Sequence, residues 1–148
     1  MTRVDFYILP DQGIDAAERF ACMLALRGLG AGLPVHVHSA DQSAAERVNA
    51  LMWDYPKRRF IPHQMVVEDA ALATDTPVHI GWQAPHRNEG LLINLSEDIP
   101  AFFGRFDRVA EVVVELTKDA SRERYRQYRH RGFPIQNHQL NDWERASA

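Results

Sequence analysis

The chain has 148 residues, 45% of them apolar and 25% charged, with a formal net charge of −3 and one cysteine. These figures fit one soluble domain, residues 1–148, that buries roughly two thirds of the surface its unfolded chain exposes. They exclude a disulfide within the chain and disfavour a general nucleic-acid coat, which would be basic.

No run approaches the roughly 18 apolar residues of a membrane helix, so no membrane contact is expected. Met1-Thr2-Arg3-Val4-Asp5 lacks the charged-then-apolar layout of a secretory signal, which points to the cytoplasm. Cys22 lies in the apolar stretch Phe20-Ala21-Cys22-Met23-Leu24 and reads as a small buried residue.

Val4 to Leu9 is rich in β-branched and aromatic residues and stops at Pro10, so it reads as a strand buried on both faces. After a turn at Asp11-Gln12-Gly13, the spacing of Ala17, Phe20, Ala21 and Leu24 predicts a helix. Gly28, Gly30 and Gly32 are expected to end it. Pro34 to His38 reads as a second strand. Ser39 and Gln42 stand at capping-box spacing before a helix through Ala44, Ala45, Val48, Leu51, Met52 and Trp53. This β-α-β-α order predicts a parallel sheet with crossover helices.

A basic loop, Tyr55 to Arg59, precedes Phe60-Ile61-Pro62-His63, where Pro62 limits any strand. Residues 68–76 are ambiguous between loop and short helix. Val78 to Trp82 and Leu91 to Leu95 read as strands, and the polar Pro85 to Gly90 between them suits a hairpin. A short turn or helix from Ile99 to Phe106 leads to a strand from Val109 to Leu116. A charged helix from about Lys118 to Arg131 is closed by Gly132. The polar segment after Phe133, about 134–148, is predicted to be a mobile tail.

The turn from first strand to first helix, Pro10 to Asp15, holds one glycine and two acids. That composition repels a phosphate, and there is no G-x-x-x-x-G-K-[ST] loop. No nucleotide or other cofactor is expected. His36 and His38 share a strand face, and His79 is a conceivable third ligand, but nothing in the sequence brings it to them and no metal site is assigned. The carboxylate pairs Glu68-Asp69 and Glu97-Asp98 read as solvated loop charge. No catalytic residue is assigned. A small α/β hydrolase using His36 and His38 is the least favoured alternative.

The segment from Lys118 to Arg131 carries Lys118 and five arginines against Asp119 and Glu123. This basic stretch in an acidic chain is the footprint of an anionic partner. Lys118, Arg122, Tyr125 and Arg129 fall at i, i+4, i+7 and i+11, close to one helical face. Cations beside an aromatic suit an acidic peptide with an aromatic end, or single-stranded nucleic acid through phosphate pairing and base stacking. A solvated helix end is the bland alternative. Trp53, with Phe60 beyond a basic loop, offers either an interface anchor or ordinary core residues.

With these segments in view, the sequence resembles the chi subunit of the bacterial DNA polymerase III holoenzyme. The resemblance runs through Phe6-Tyr7-Ile8-Leu9, Leu51-Met52-Trp53-Asp54-Tyr55-Pro56, Phe60-Ile61-Pro62-His63 and Arg122-Glu123-Arg124-Tyr125-Arg126-Gln127-Tyr128-Arg129. It implies a Rossmann-like three-layer α/β sandwich with a mostly parallel, mixed sheet and no nucleotide-binding loop. It also implies a non-catalytic adaptor that touches DNA only indirectly. Lys118, Arg122 and Tyr125, with Arg129 on the same face, would bind the acidic C-terminal tail of the single-stranded-DNA-binding protein. Trp53 and Phe60 would meet the psi subunit of the clamp loader, or a helicase-like protein at the same surface.

Overall fold

A computed structural model describes residues 1–67 and 75–145. The elements run β1 (Arg3–Ile8), α1 (Ile14–Gly30), β2 (Val35–His38), α2 (Gln42–Asp54), β3 (His63–Met65), β4 (Val78–Gly81), β5 (Leu91–Asn94), β6 (Arg108–Val113), α3 (Lys118–His130) and β7 (Ile135–Gln139). Single 3-10 turns cover Phe103–Arg105 and Glu115–Thr117. Among the described residues the strands form one sheet in the order β3-β4-β2-β5-β6-β1-β7, and every ladder is parallel. The expected α/β class holds, with no antiparallel strand among those described.

Two apolar clusters cover the sheet. One carries α1 and α2 through Phe20, Leu24, Val48 and Met52. The other packs Phe6, Phe103, Phe106 and Tyr128 on the α3 side. The alternation of side chains along each strand sends neighbouring residues to opposite faces, so both layers draw on the same strands.

The structure corrects several local expectations. The segments 78–82 and 91–95 are not a hairpin: β4 and β5 lie on either side of β2, both parallel to it. The polar loop between them crosses the end of β2. Arg87 holds it there by donating to the Val35, Pro77 and Thr76 carbonyls at 2.8–3.0 Å. Gly90 closes the crossing at φ +88°, and a Cβ there would collide with the Pro34 carbonyl.

The glycines do not end the first helix early. Gly28 and Gly30 lie within α1, and Gly28 faces Val35, where a Cβ would approach Cγ2 to 2.7 Å. Nor does Ser39 cap α2. Its amide still extends the sheet, donating to Gly81 at 2.8 Å, so the helix starts later, with Asp41 accepting from the Ala44 amide. The undecided stretch 68–76 falls mostly outside the described residues.

The polar tail is the largest revision. Residues 135–139 are β7, paired with β1 along five residues, and Trp143 is buried. His138 stacks on Tyr7 with ring centres 4.8 Å apart and bonds Asp5 at 2.9 Å. Trp143 donates to Asp11 at 2.8 Å and meets Phe20 edge-on, while Glu144 accepts from Tyr55 and Arg19. The sequence Ile-Gln-Asn-His-Gln shows no apolar alternation, because backbone bonds to β1 hold an edge strand that need not bury both faces.

Candidate functional site

α3 lies across the sheet with Ser121, Arg124 and Tyr128 buried. Arg124 and Tyr128 converge on Glu111 of β6. Arg124 Nε donates to one carboxylate oxygen at 3.0 Å, and Tyr128 and Asn94 donate to the other at 2.8 and 2.9 Å. Burial pushes the Glu111 carboxyl up, and the three donors act against burial. Burial, with Glu111 nearby, drives the Tyr128 phenol far above its usual range. Of the six cations in the basic segment, Arg124 is therefore an internal anchor, and five remain at the surface.

This anchoring sets the next face of the helix over a groove of about 480 Å³. Phe6 and Ile8 of β1 and Val113 of β6 give it an apolar floor. Asn137 and Gln139 of β7 form one wall, and Lys118, Ser121, Arg122 and Tyr125 form the other. Lys118 and Arg122 are exposed, and Tyr125 is half-buried with its ring edge-on to Phe6 at 5.3 Å. The Arg122–Asp119 approach is long at 3.8 Å and solvent-exposed, so it ties up little of the guanidinium. The N-terminal end of α3 opens at the same place, adding positive potential. Glu115 is the acid at the rim. Arg129 is exposed further along α3 and does not line the groove.

The groove thus gathers three of the four residues read from the basic segment. Its floor and far wall were not anticipated. Phe6 and Ile8 were legible as strand residues two apart, hence on one face, but no local signal pairs them with α3. Asn137 and Gln139 came from the misread tail.

Trp53 and Phe60 stand elsewhere. Trp53 is 58% exposed at the end of α2 and Phe60 is 67% exposed, their ring centres 6.2 Å apart. Trp53 rests on His63 at 4.4 Å, and Lys57, Arg58 and Arg59 are exposed beside it. These two rings are surface residues rather than core. α2 packs against β3 and β4, so the patch lies toward the edge of the sheet opposite β7.

The crevice where α/β sheets usually take nucleotides, at the carboxyl ends of β2, β5 and β6, is a cleft of about 410 Å³ whose lining includes the acids Glu18, Asp41 and Glu97. Arg47 pairs with Glu18 at 3.0 Å and Asp41 caps α2. The carbonyls of Asp11 and Gln12 accept from the Glu115 and Leu116 amides, which ties the turn between β1 and α1 to the segment after β6. His36 is fully buried against Phe102 and Phe106, out of reach of a substrate. Among the described residues no group of three His, Cys, Asp or Glu side chains is placed to hold a metal. Glu97 and Asp98 are exposed, as expected of loop charge, while Glu68 and Asp69 lie outside the described residues. Burial, with Glu18 nearby, pushes the Cys22 thiol up to about 12. Among the described residues no helix is long and apolar enough to cross a membrane.

These features define a parallel α/β protein with two distinct surface features, a basic and aromatic groove and an exposed aromatic patch. Comparison with known proteins gives the particular family. Residues 1–136 match the family described as DNA polymerase III chi subunit, HolC. The chain is 38% identical over 143 residues to the DNA polymerase III subunit chi of Pseudomonas aeruginosa, covering 95% of this chain and 98% of that one. It is 30% identical over 134 residues to the Haemophilus influenzae protein of the same name (88% and 92% covered) and 28% identical over 143 residues to that of Escherichia coli (91% and 96%). The chain belongs to the chi subunit family, which places it among replication accessory subunits.

Proposed function

We propose that this chain is a non-catalytic adaptor of the cytoplasmic replication machinery, folded as one unit and using no cofactor. Its groove takes the acidic C-terminal tail of the single-stranded-DNA-binding protein. Its Trp53–Phe60 patch takes the psi subunit of the clamp loader, or a helicase-like protein in its place. DNA is reached only through these partners.

The observation that carries this reading is the groove, where Lys118 and Arg122 flank an apolar floor of Phe6, Ile8 and Val113. An acidic segment with an apolar-aromatic tip matches both halves. The two surfaces lie toward opposite edges of a seven-stranded sheet, about 29 Å across at roughly 4.8 Å per strand, which favours simultaneous rather than competing partners.

Titration with a short peptide copying that tail should give saturable binding that weakens as salt is raised, because exposed charges are screened. Arg122→Ala should cost about 1.5–3 kcal/mol, or roughly ten- to a hundredfold in affinity. Unchanged affinity in this variant would remove the groove from the reading. Binding of a single-stranded oligonucleotide at least as tight as that of the peptide would favour the nucleic-acid alternative.

For the second surface, Trp53→Ala combined with Phe60→Ala should abolish co-purification of the psi-side partner and leave peptide affinity within twofold. Both rings are largely exposed, so folding should be little changed. Retention of that partner by the double variant would exclude the patch.

A further inference from the structure

The far wall of the groove is a strand edge. β7 ends the sheet, and among the described residues nothing pairs with its outer side. The bonds it makes to β1 fix which of its backbone groups are free. Val4 donates to the Pro134 carbonyl at 2.9 Å and Leu140 donates to the Ile8 carbonyl at 3.0 Å. A parallel ladder alternates, so residues 134, 136, 138 and 140 face β1. The amides and carbonyls of Ile135, Asn137 and Gln139 therefore point outward.

Natural sheets usually protect such an edge with lysine, proline within the strand, or a bulge. β7 has none of these, and Pro134 precedes it. Its side chains at Asn137 and Gln139 line the same groove as Lys118, Arg122 and Tyr125. No acid lies within Ile135–Gln139, and Lys118 and Arg122 stand across the groove from it.

We propose that the acidic peptide binds as an eighth strand on β7, parallel to it. The inference rests on the groove reading above. It adds that main-chain pairing with Ile135, Asn137 and Gln139 holds the ligand, with the cations supplying charge recognition. Direction follows from where the cations sit. Lys118 marks the carboxyl end of the strands, and Arg122 and Arg129 follow along α3 toward the amino end of β7. A peptide running parallel places its terminal carboxylate and aromatic tip by Lys118 and Arg122, and its preceding acids beside Arg129. This gives Arg129 a role although it lies outside the groove. Extended peptides adding to exposed sheet edges are a recurrent recognition mode, in which backbone bonds give affinity and alternate side chains give specificity.

The test uses the full chain and a labelled short acidic peptide ending in an aromatic residue. Asn137→Pro deletes one outward amide and leaves the ladder to β1 intact, since that amide makes no bond within the sheet. It should weaken peptide binding about five- to tenfold. Asn137→Ala removes only the side chain, which lines the groove, and should weaken binding less than Asn137→Pro; equal losses in the two variants would overturn edge pairing. As a second measurement, needing no variant, the amides of Ile135, Asn137 and Gln139 should gain protection from hydrogen exchange on saturation with peptide.

Full affinity in Asn137→Pro, or no new protection at those three amides, would overturn edge pairing. If Arg122→Ala still abolishes binding in that case, the groove reading stands alone. If neither Arg122→Ala nor Asn137→Pro changes affinity, both readings fail together.

Discussion

Arg124→Met is expected to lose about 3–5 kcal/mol of stability, the usual cost of stripping one partner from a buried ion pair. The Arg124 side chain is 5% exposed and that of Glu111 is fully buried, so the carboxylate left behind has no access to water. The guanidinium also donates to the Glu97 carbonyl at 2.6 Å and to the Ser121 hydroxyl at 3.0 Å, so three acceptors lose a donor at once. Asn94 and Tyr128 would remain on one oxygen of Glu111, which is too little to offset its burial. Urea unfolding of the variant beside the parent measures the loss, and a difference below about 1 kcal/mol would contradict the account. Adding Glu111→Gln should restore part of it, because the orphaned charge is then gone. Peptide affinity should fall too, although Arg124 lies outside the binding groove. The network fixes α3 on β6, and α3 carries one wall of the groove.

The second large effect is acid sensitivity. Burial lowers the His36 pKa to about 3, helped by His38, His79 and Arg87, and burial lowers that of His38 to about 4. Neither ring nitrogen of His36 has a hydrogen-bond partner among the described residues, so protonation finds no acceptor there. An unfolded histidine takes up its proton near pH 6.5. Both folded values lie below this, so their stabilising effect is full above pH 6.5 and is lost as pH falls toward 4. Each histidine should cost about 2 kcal/mol between pH 7 and pH 5, roughly 4 kcal/mol for the pair.

Asp5 acts in the same direction but lower. Burial works to raise its carboxyl, yet His138, Arg3 and Arg108 outweigh burial and hold it below 3.8. Its contribution is therefore present above that value and disappears only in stronger acid. Urea midpoints at pH 7, 6 and 5 should fall steadily in the parent. In His36→Phe, whose ring would sit against Phe102 and Phe106, the slope should be about half. An unchanged slope would show that His36 is not what the acid reaches.

How far the sequence spoke depends on the range of each interaction. β1 was legible because Val4 to Leu9 carries its own propensity, and the core side of α1 because Phe20 and Leu24 repeat at helical spacing. Lys118, Arg122 and Tyr125 of the groove were legible for the same reason, since spacing along one helix fixes which side chains share a face. The hairpin failed because the polar loop at 85–90 satisfies two topologies equally. The pairing of β2 with both β4 and β5 decides between them, and Arg87 ties the loop across the starts of β2 and β4. The tail failed because β7 has no pattern of its own.

By itself, then, the sequence determined the α/β class, the absence of a phosphate loop, the basic face of α3 and the family to which the chain belongs. All of these rest on residues within a few positions of one another or on motifs read in order. Tertiary structure alone decided the neighbours of each strand, the withdrawal of Arg124 from the surface charge into Glu111, and the apolar floor beneath Arg122. It also turned a polar tail into an open sheet edge. The reason is physical: these outcomes depend on contacts between residues as distant as Phe6 and Asn137. Such contacts are selected by the packing of the whole sheet, and no short stretch of chain encodes them.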